Sequence, residues 1–205
     1  GGEATPLTSS DFYAPRPVWS PDGKTLACAC KRNGNFDVFV TTLSGDTPRR
    51  LTYHSADDLS YAFSADGSSL YFGSSRLGSP ETQLVGTYHG SQQLYTIPVA
   101  GGTAQLLLPT PAHEVAVSPD GKTLVYDNCP VYENEWRKGA VSDGTRDLWL
   151  YELATGKHRQ LTRNRGEDRD GFFAPDGKSI YYASEQGSSS FNVWQTGLEP
   201  GAVPR

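Results

Sequence analysis

The stretch Val18-Trp19-Ser20-Pro21-Asp22-Gly23-Lys24-Thr25-Leu26-Ala27-Cys28 decides the fold. Two short apolar runs flank a tetrapeptide suited to reversing the chain. Proline presets φ, aspartate bonds nearby backbone, and glycine takes the left-handed conformation of a tight hairpin. Three more copies follow, at Ser64-Ala65-Asp66-Gly67, Ser118-Pro119-Asp120-Gly121 and Ala174-Pro175-Asp176-Gly177. Apolar residues enter each turn (62–63, 115–117, 172–173) and leave it (70–72, 124–126, 180–182).

A third apolar run follows every hairpin: Asp37-Val38-Phe39-Val40, Gln93-Leu94-Tyr95-Thr96, Asp147-Leu148-Trp149-Leu150-Tyr151 and Asn192-Val193-Trp194. A glycine-bearing turn and a short fourth run come next, at Arg50-Leu51-Thr52, Gln105-Leu106-Leu107 and Gln160-Leu161-Thr162. Four strands per repeat is the arithmetic of a β-propeller blade. The expected fold is therefore all-β, a β-propeller of four-stranded antiparallel blades in one region spanning residues 1–205. Residues 9–52, 53–108 and 109–162 read as blades, 163–205 as an incomplete blade, and 1–8 as the last strand of a preceding one. Residues 4–8 could close a four-bladed ring by completing the last blade. The reading preferred here is an arc of a six- or seven-bladed ring, which leaves two strand edges to be covered.

The turn glycines Gly23, Gly67, Gly121 and Gly177 lie 44, 54 and 56 residues apart. The first spacing suits a bare blade, and the others leave room for insertions of about ten residues. These fall at 74–90 and 128–145, between the second and third strands of their blades.

Composition narrows the function. The 205 residues are 36% hydrophobic and 20% charged, with 22 Gly, 14 Pro, 11 Tyr, 8 Phe and 4 Trp, too apolar and aromatic for a disordered chain. A net charge of −5 without a long basic run argues against nucleic acid. Cys28, Cys30 and Cys129 lack metal-ligand or disulfide-framework spacing and read as small hydrophobic packers. No metal and no cofactor is expected. No run approaches the roughly 18 apolar residues of a membrane span, and no signal peptide is visible. A chain without methionine that opens on Gly1-Gly2-Glu3 is expected to be part of a longer product.

Candidate site residues fall in two groups. The first is a set of carboxylates leading into the inner strands: Asp58 and Asp168, nine residues before their turn glycine, with Glu114 and Asp170 seven before theirs. Blade geometry would gather them at one mouth of a central channel, where a ring of carboxylates would attract cationic ligands; ordinary solvated loop acids are the plainer reading. The first repeat breaks the pattern with Ala14 and Arg16 at those offsets. The second group lies in the 128–145 insertion: Tyr132, Glu135, Trp136 and Arg137, followed by Arg146. Trp with Arg is a common energetic centre of interfaces, although a self-packed insertion fits equally. No catalytic constellation emerges. The histidines His54, His89, His113 and His158 lie among scattered serines, and no Gly-x-Ser-x-Gly elbow is present.

Trp19-Ser20-Pro21-Asp22-Gly23-Lys24, Asn134-Glu135-Trp136-Arg137-Lys138, Thr145-Arg146-Asp147-Leu148-Trp149-Leu150-Tyr151 and Gly166-Glu167-Asp168-Arg169 resemble the amino-terminal propeller of bacterial tricorn-protease-like peptidases, and the blades more broadly are similar to TolB-type propellers. The resemblance covers nearly the whole chain. It implies a periplasmic or envelope serine peptidase whose catalytic and PDZ regions lie outside this chain, with the propeller gating or guiding peptides towards them. Peptides or proteins and the remaining domains of such a parent are the implied partners. A TolB-like scaffold that binds an envelope protein is the second reading, and an enzyme with its site in the channel the third. Ala65 in place of proline and the longer 74–90 insertion set the second repeat apart.

Overall fold

The computed structural model describes residues 16–32, 34–44, 47–77, 92–128, 145–187 and 190–205. Among them the regular structure is entirely strand, in four antiparallel meanders. Blade I comprises β1 (Val18–Trp19), β2 (Thr25–Lys31), β3 (Phe36–Thr42) and β4 (Arg49–Arg50). Blade II comprises β5 (Asp58–Phe63), β6 (Ser69–Ser74), β7 (Gln93–Pro98) and β8 (Gln105–Pro111). Blade III comprises β9 (His113–Val117), β10 (Thr123–Asn128), β11 (Asp147–Glu152) and β12 (Lys157–Gln160). Blade IV has three strands, β13 (Asp168–Phe173), β14 (Ser179–Ser184) and β15 (Asn192–Gly197). Sequence order equals spatial order in every sheet, the signature of a propeller blade. The expected orphan strand at 1–8 and Cys129 lie outside the described residues.

Each Asp-Gly turn is closed by the same bonds. The Gly23 amide donates to the Ser20 carbonyl (2.9 Å), and the Ser20 amide donates to the Thr25 carbonyl (2.8 Å). The Ser20 hydroxyl donates to Asp22 Oδ1 (2.6 Å) and accepts the Thr25 amide (2.9 Å). Ser64–Asp66 and Ser118–Asp120 repeat the hydroxyl contact at 2.6 Å. These donors hold the Asp22 and Asp120 carboxyls below the usual range, and Asp66, served by Ser64 and Ser68, falls to about 2. Blade IV keeps the backbone bonds with Ala174 in the serine position.

The turns also touch one another. A Cβ placed on Gly67 would sit 3.6 Å from Pro21 Cδ, one on Gly177 3.5 Å from Pro119 Cδ, and one on Gly121 2.8 Å from Ala65 Cβ. The second residue of each turn thus packs on the glycine of the next, so the glycine answers both to a positive φ and to a close neighbour.

Two-residue alternation distributes the core between blades. Ala27, Val38, Val40 and Leu51 of blade I meet Phe63, Leu70, Phe72, Tyr95 and Ile97 of blade II. The opposite face of blade II, with Tyr61, Tyr71 and Leu108, meets Val115, Leu124 and Tyr126 of blade III. Val125, Leu148 and Leu150 of blade III meet Ile180 and Tyr182 of blade IV. Cys28 and Cys30 share one face with Phe39, buried and free of disulfide, as the packing role requires. On the face of blade IV away from blade III, Phe172 stacks on Tyr181 (5.6 Å between centroids), and Phe172 and Val193 are exposed.

Candidate functional site

In an antiparallel meander the start of strand one, the end of strand two, the start of strand three and the end of strand four share one end of the blade. That end carries both insertions and most of the acids singled out from the sequence. Asp58, Glu114, Asp168 and Asp170 do not lie in connecting loops. They belong to β5, β9 and β13, each of which has a register irregularity, between Ser60 and Ala62, opposite Val125 to Asp127, and between Arg169 and Phe172. A bulge absorbs an extra residue and extends the ladder towards the chain start, which the spacing alone did not reveal. His113 is likewise the first residue of β9 rather than part of a connection.

Three non-glycine residues have positive φ: Glu114 (47°) and Asp170 (56°) at the bulges of β9 and β13, and Arg16 (60°) just before β1. All three stand seven residues before their turn glycine. Left-handed backbone costs a residue bearing a Cβ about 1–2 kcal/mol, and such strain gathers at functional surfaces. Glu114 of blade III receives Arg16 Nη1 from blade I, a pairing that passes over the inner strand of blade II. The Ser60 hydroxyl, at the same offset in blade II, donates to the Arg16 carbonyl (3.1 Å). Asp170 is 56% exposed along its side chain and lies 3.5 Å from Arg169 Nε, while its amide donates to Asp127 Oδ2 (3.2 Å).

Asp58 and Asp168 do not join Glu114 and Asp170 in a ring, because both are fully buried. Asp58 is gripped by Arg76 Nη2 at 2.9 and 2.8 Å. Burial pushes the Asp168 carboxyl up, against the opposing effect of the Ser184, Thr162 and Asn164 side chains, the last of which donates its amide to the carboxylate. Arg146 acts as a clasp at the root of the 128–145 insertion. Its Nε lies 3.3 Å from buried Glu167 Oε1, and its Nη1 lies 4.0 Å from Asp127 Oδ2 on the strand entering the insertion. Burial raises the Asp127 carboxyl well above the ordinary carboxylate range. Tyr132, Glu135, Trp136 and Arg137 lie outside the described residues.

Two of the histidines that can be placed serve the fold. His54 Nδ1 accepts the Ala56 amide (3.0 Å), and His158 Nδ1 bonds the Tyr126 hydroxyl (2.7 Å). Among the described residues no group of three or more His, Cys, Asp or Glu is arranged to hold a metal ion. Arg16 is the functional candidate that sequence reasoning passed over; the shared offset with Glu114 and Asp170 was its only signal.

The tricorn protease N-terminal beta propeller domain matches this sequence over residues 1–205. The chain belongs to that family. Relatives include an uncharacterized protein of Agrobacterium fabrum (25% identical; 92% of this chain, 56% of the relative) and the Tol-Pal system protein TolB of Wolinella succinogenes (26%; 92% and 41%). The uncharacterized peptidase YuxL of Bacillus subtilis is 27% identical, over 89% of this chain and 23% of its own length. Among solved structures, the putative TolB of Agrobacterium tumefaciens superposes with a TM-score of 0.72, at 23% identity over 97% of this chain and 63% of that one. The tricorn protease superposes with a TM-score of 0.59, at 12% identity over 92% of this chain and 18% of that one. The chain thus spans roughly a quarter to just over half the length of the curated relatives it matches.

Proposed function

We propose that this tricorn-type propeller is a non-catalytic, polypeptide-binding domain that guides peptides to a serine peptidase domain elsewhere in the same envelope or periplasmic protein. The observation that carries the proposal is the set of strained charged residues in, or just before, the inner strands. Arg16, Glu114 and Asp170 hold charged side chains on left-handed backbone at the blade end from which both insertions emerge. Backbone fixed in this way needs no further ordering on binding, so contacts with a passing polypeptide lose less to lost freedom. His54 and His158 take backbone and tyrosine partners, and the chemistry is assigned to another domain. Periplasmic residence rests on the resemblance to TolB.

The test uses the full-length protein and a peptide substrate. Arg16→Ala and Asp170→Ala are expected to raise KM roughly three- to tenfold with kcat unchanged, because the lost contacts precede the chemical step. A fall in kcat at constant KM, or no change in either, refutes guidance. A TolB-like scaffold remains the second reading, favoured by the higher TM-score with TolB (0.72) than with the tricorn protease (0.59). Under that reading the full-length protein turns over no peptide and instead retains a folded protein partner.

A further inference from the structure

Superposing one repeat on another exposes a site that neither the channel mouth nor the insertions account for. At the junction of blades I and II two buried carboxylates are neutralised by two arginines. Asp37 lies 2.6 Å from Arg50 Nη2, and Asp58 binds Arg76. The Arg76 guanidinium also lies over the rings of Phe72 (5.2 Å) and Tyr95 (4.6 Å). The junction of blades III and IV repeats every part of this arrangement except the cations. Asp168 faces Ser184 as Asp58 faces Ser74, and Tyr182 faces Trp194 as Phe72 faces Tyr95. Trp149 pairs with Gln160 as Phe39 pairs with Arg50, which sets Asp147 in the place of Asp37. The residue two beyond Ser74 is Arg76, and the residue two beyond Ser184 is Gln186. Glutamine therefore replaces both arginines.

The carboxylates stayed while their charges went. Asp147 keeps a neutral donor, Gln160 Nε2 at 2.9 Å, and Asp168 keeps Asn164. One oxygen of each carboxylate lacks a hydrogen-bond partner, as does the hydroxyl of Tyr182, a side chain only 1% exposed. Buried polar atoms are rarely left in that condition. Tyr182 and Gln186 stand in the wall of a cavity of about 540 Å³, with Thr162 and Asn164 beside them and Glu199 among the other lining residues. The matching groove between blades I and II is about 260 Å³ and has Arg76 in its wall. Arg159 and Arg163 also line the larger cavity. Arg159 donates to the Leu198 carbonyl and the charge of Arg163 reaches Asp147, but among the described residues neither arginine forms an ion pair with Asp147 or Asp168.

We propose that the cavity between blades III and IV binds a guanidinium group, the arginine side chain of a peptide or protein. Asp168, buried behind the wall residue Asn164 that bonds it, is its carboxylate partner, and Tyr182 in the wall, with Trp194 facing it in register, supplies the aromatic surface, as Asp58, Phe72 and Tyr95 do for Arg76. A planar guanidinium satisfies both the free carboxylate oxygen and the ring faces, which a compact ammonium group does less well. The site is separate from the channel mouth, and its test is independent of peptide turnover.

N-acetyl-arginine amide is titrated into the full-length protein by calorimetry at low salt, alongside N-acetyl-citrulline amide, its neutral isostere. The expected result is saturable one-to-one binding of the arginine amide, at least about tenfold tighter than the citrulline amide. Gln186→Arg, which installs the cation that blade II already carries, is expected to abolish this binding and raise the melting temperature. Asp168→Asn is expected to abolish binding as well. Gln186→Arg keeps the test decisive should Asp168→Asn fail to fold. Asp170→Ala, which alters only the channel mouth, leaves the arginine affinity unchanged. Equal affinity for the two amides, no saturation by about 10 mM, or unchanged binding in a folded Gln186→Arg protein overturns the proposal.

Discussion

Replacing Asp147 by asparagine should stabilise the protein at neutral pH and do nothing in acid. Burial first, and the neighbouring Asp168 second, push the Asp147 carboxyl up to about 6 from a reference of 3.8. The folded state therefore holds this proton more tightly than the unfolded chain does. The resulting stability is fully present below about pH 4 and is lost as pH rises through about 6. The difference of about two units corresponds to about 3 kcal/mol at 1.36 kcal/mol per unit. Asp147 is only partly buried, so solvent screening brings the expected cost of its charge to about 1.5 kcal/mol at pH 7.5. Asparagine retains an acceptor for Gln160 Nε2, so the hydrogen bond survives the substitution. Urea denaturation of parent and variant at pH 4, 5, 6 and 7.5 measures the effect; guanidinium chloride is avoided as a potential ligand. The variant should gain about 1.5 kcal/mol at pH 7.5 and nothing at pH 4. A loss at pH 7.5, or an equal difference at both ends, refutes the reasoning.

Two further substitutions probe the frame. Arg76→Gln gives blade II the residue of blade IV and strands buried Asp58, so a loss of about 3 kcal/mol is expected in urea; a loss below about 1 kcal/mol would show that neighbouring neutral donors suffice. Gly23→Ala and Gly121→Ala share a positive φ of 68° and 71°, but an added methyl meets nothing within 4 Å at the first and Ala65 Cβ at 2.8 Å at the second. Gly121→Ala should therefore cost about 1–2 kcal/mol more than Gly23→Ala, and equal losses in paired melts would dismiss contact between the turns.

Much of this structure was legible beforehand because its signals are local. A Pro-Asp-Gly turn between two apolar runs specifies a hairpin without reference to the rest of the chain, and the alternation of Leu26 to Cys30 distributes its side chains between two blade faces. The acids were misread because their surroundings are set at a distance. Asp58 is buried by virtue of Arg76, on the far side of a hairpin. Glu114 is drawn towards Arg16, two blades away. The bulges that move Glu114 and Asp170 into left-handed backbone leave no compositional mark, since any residue can be forced there by the ladder around it. The exchange of Arg50 and Arg76 for Gln160 and Gln186 was present in the sequence throughout. It gained meaning only once strand register showed which residues correspond.

The contact between successive hairpin tips has a consequence for how such a chain can change. Each repeat carries the knob that fits its successor's socket, so the angle between repeats is set where they converge, and a small displacement there is magnified at the outer edge. Length can be added freely at the opposite end of a blade, as the two insertions show. The tip cannot drift alone, because an added methyl at one glycine must be answered by a smaller residue in the preceding turn. Ala65, facing Gly121 across the tightest of the three seams, has the size such an adjustment would leave.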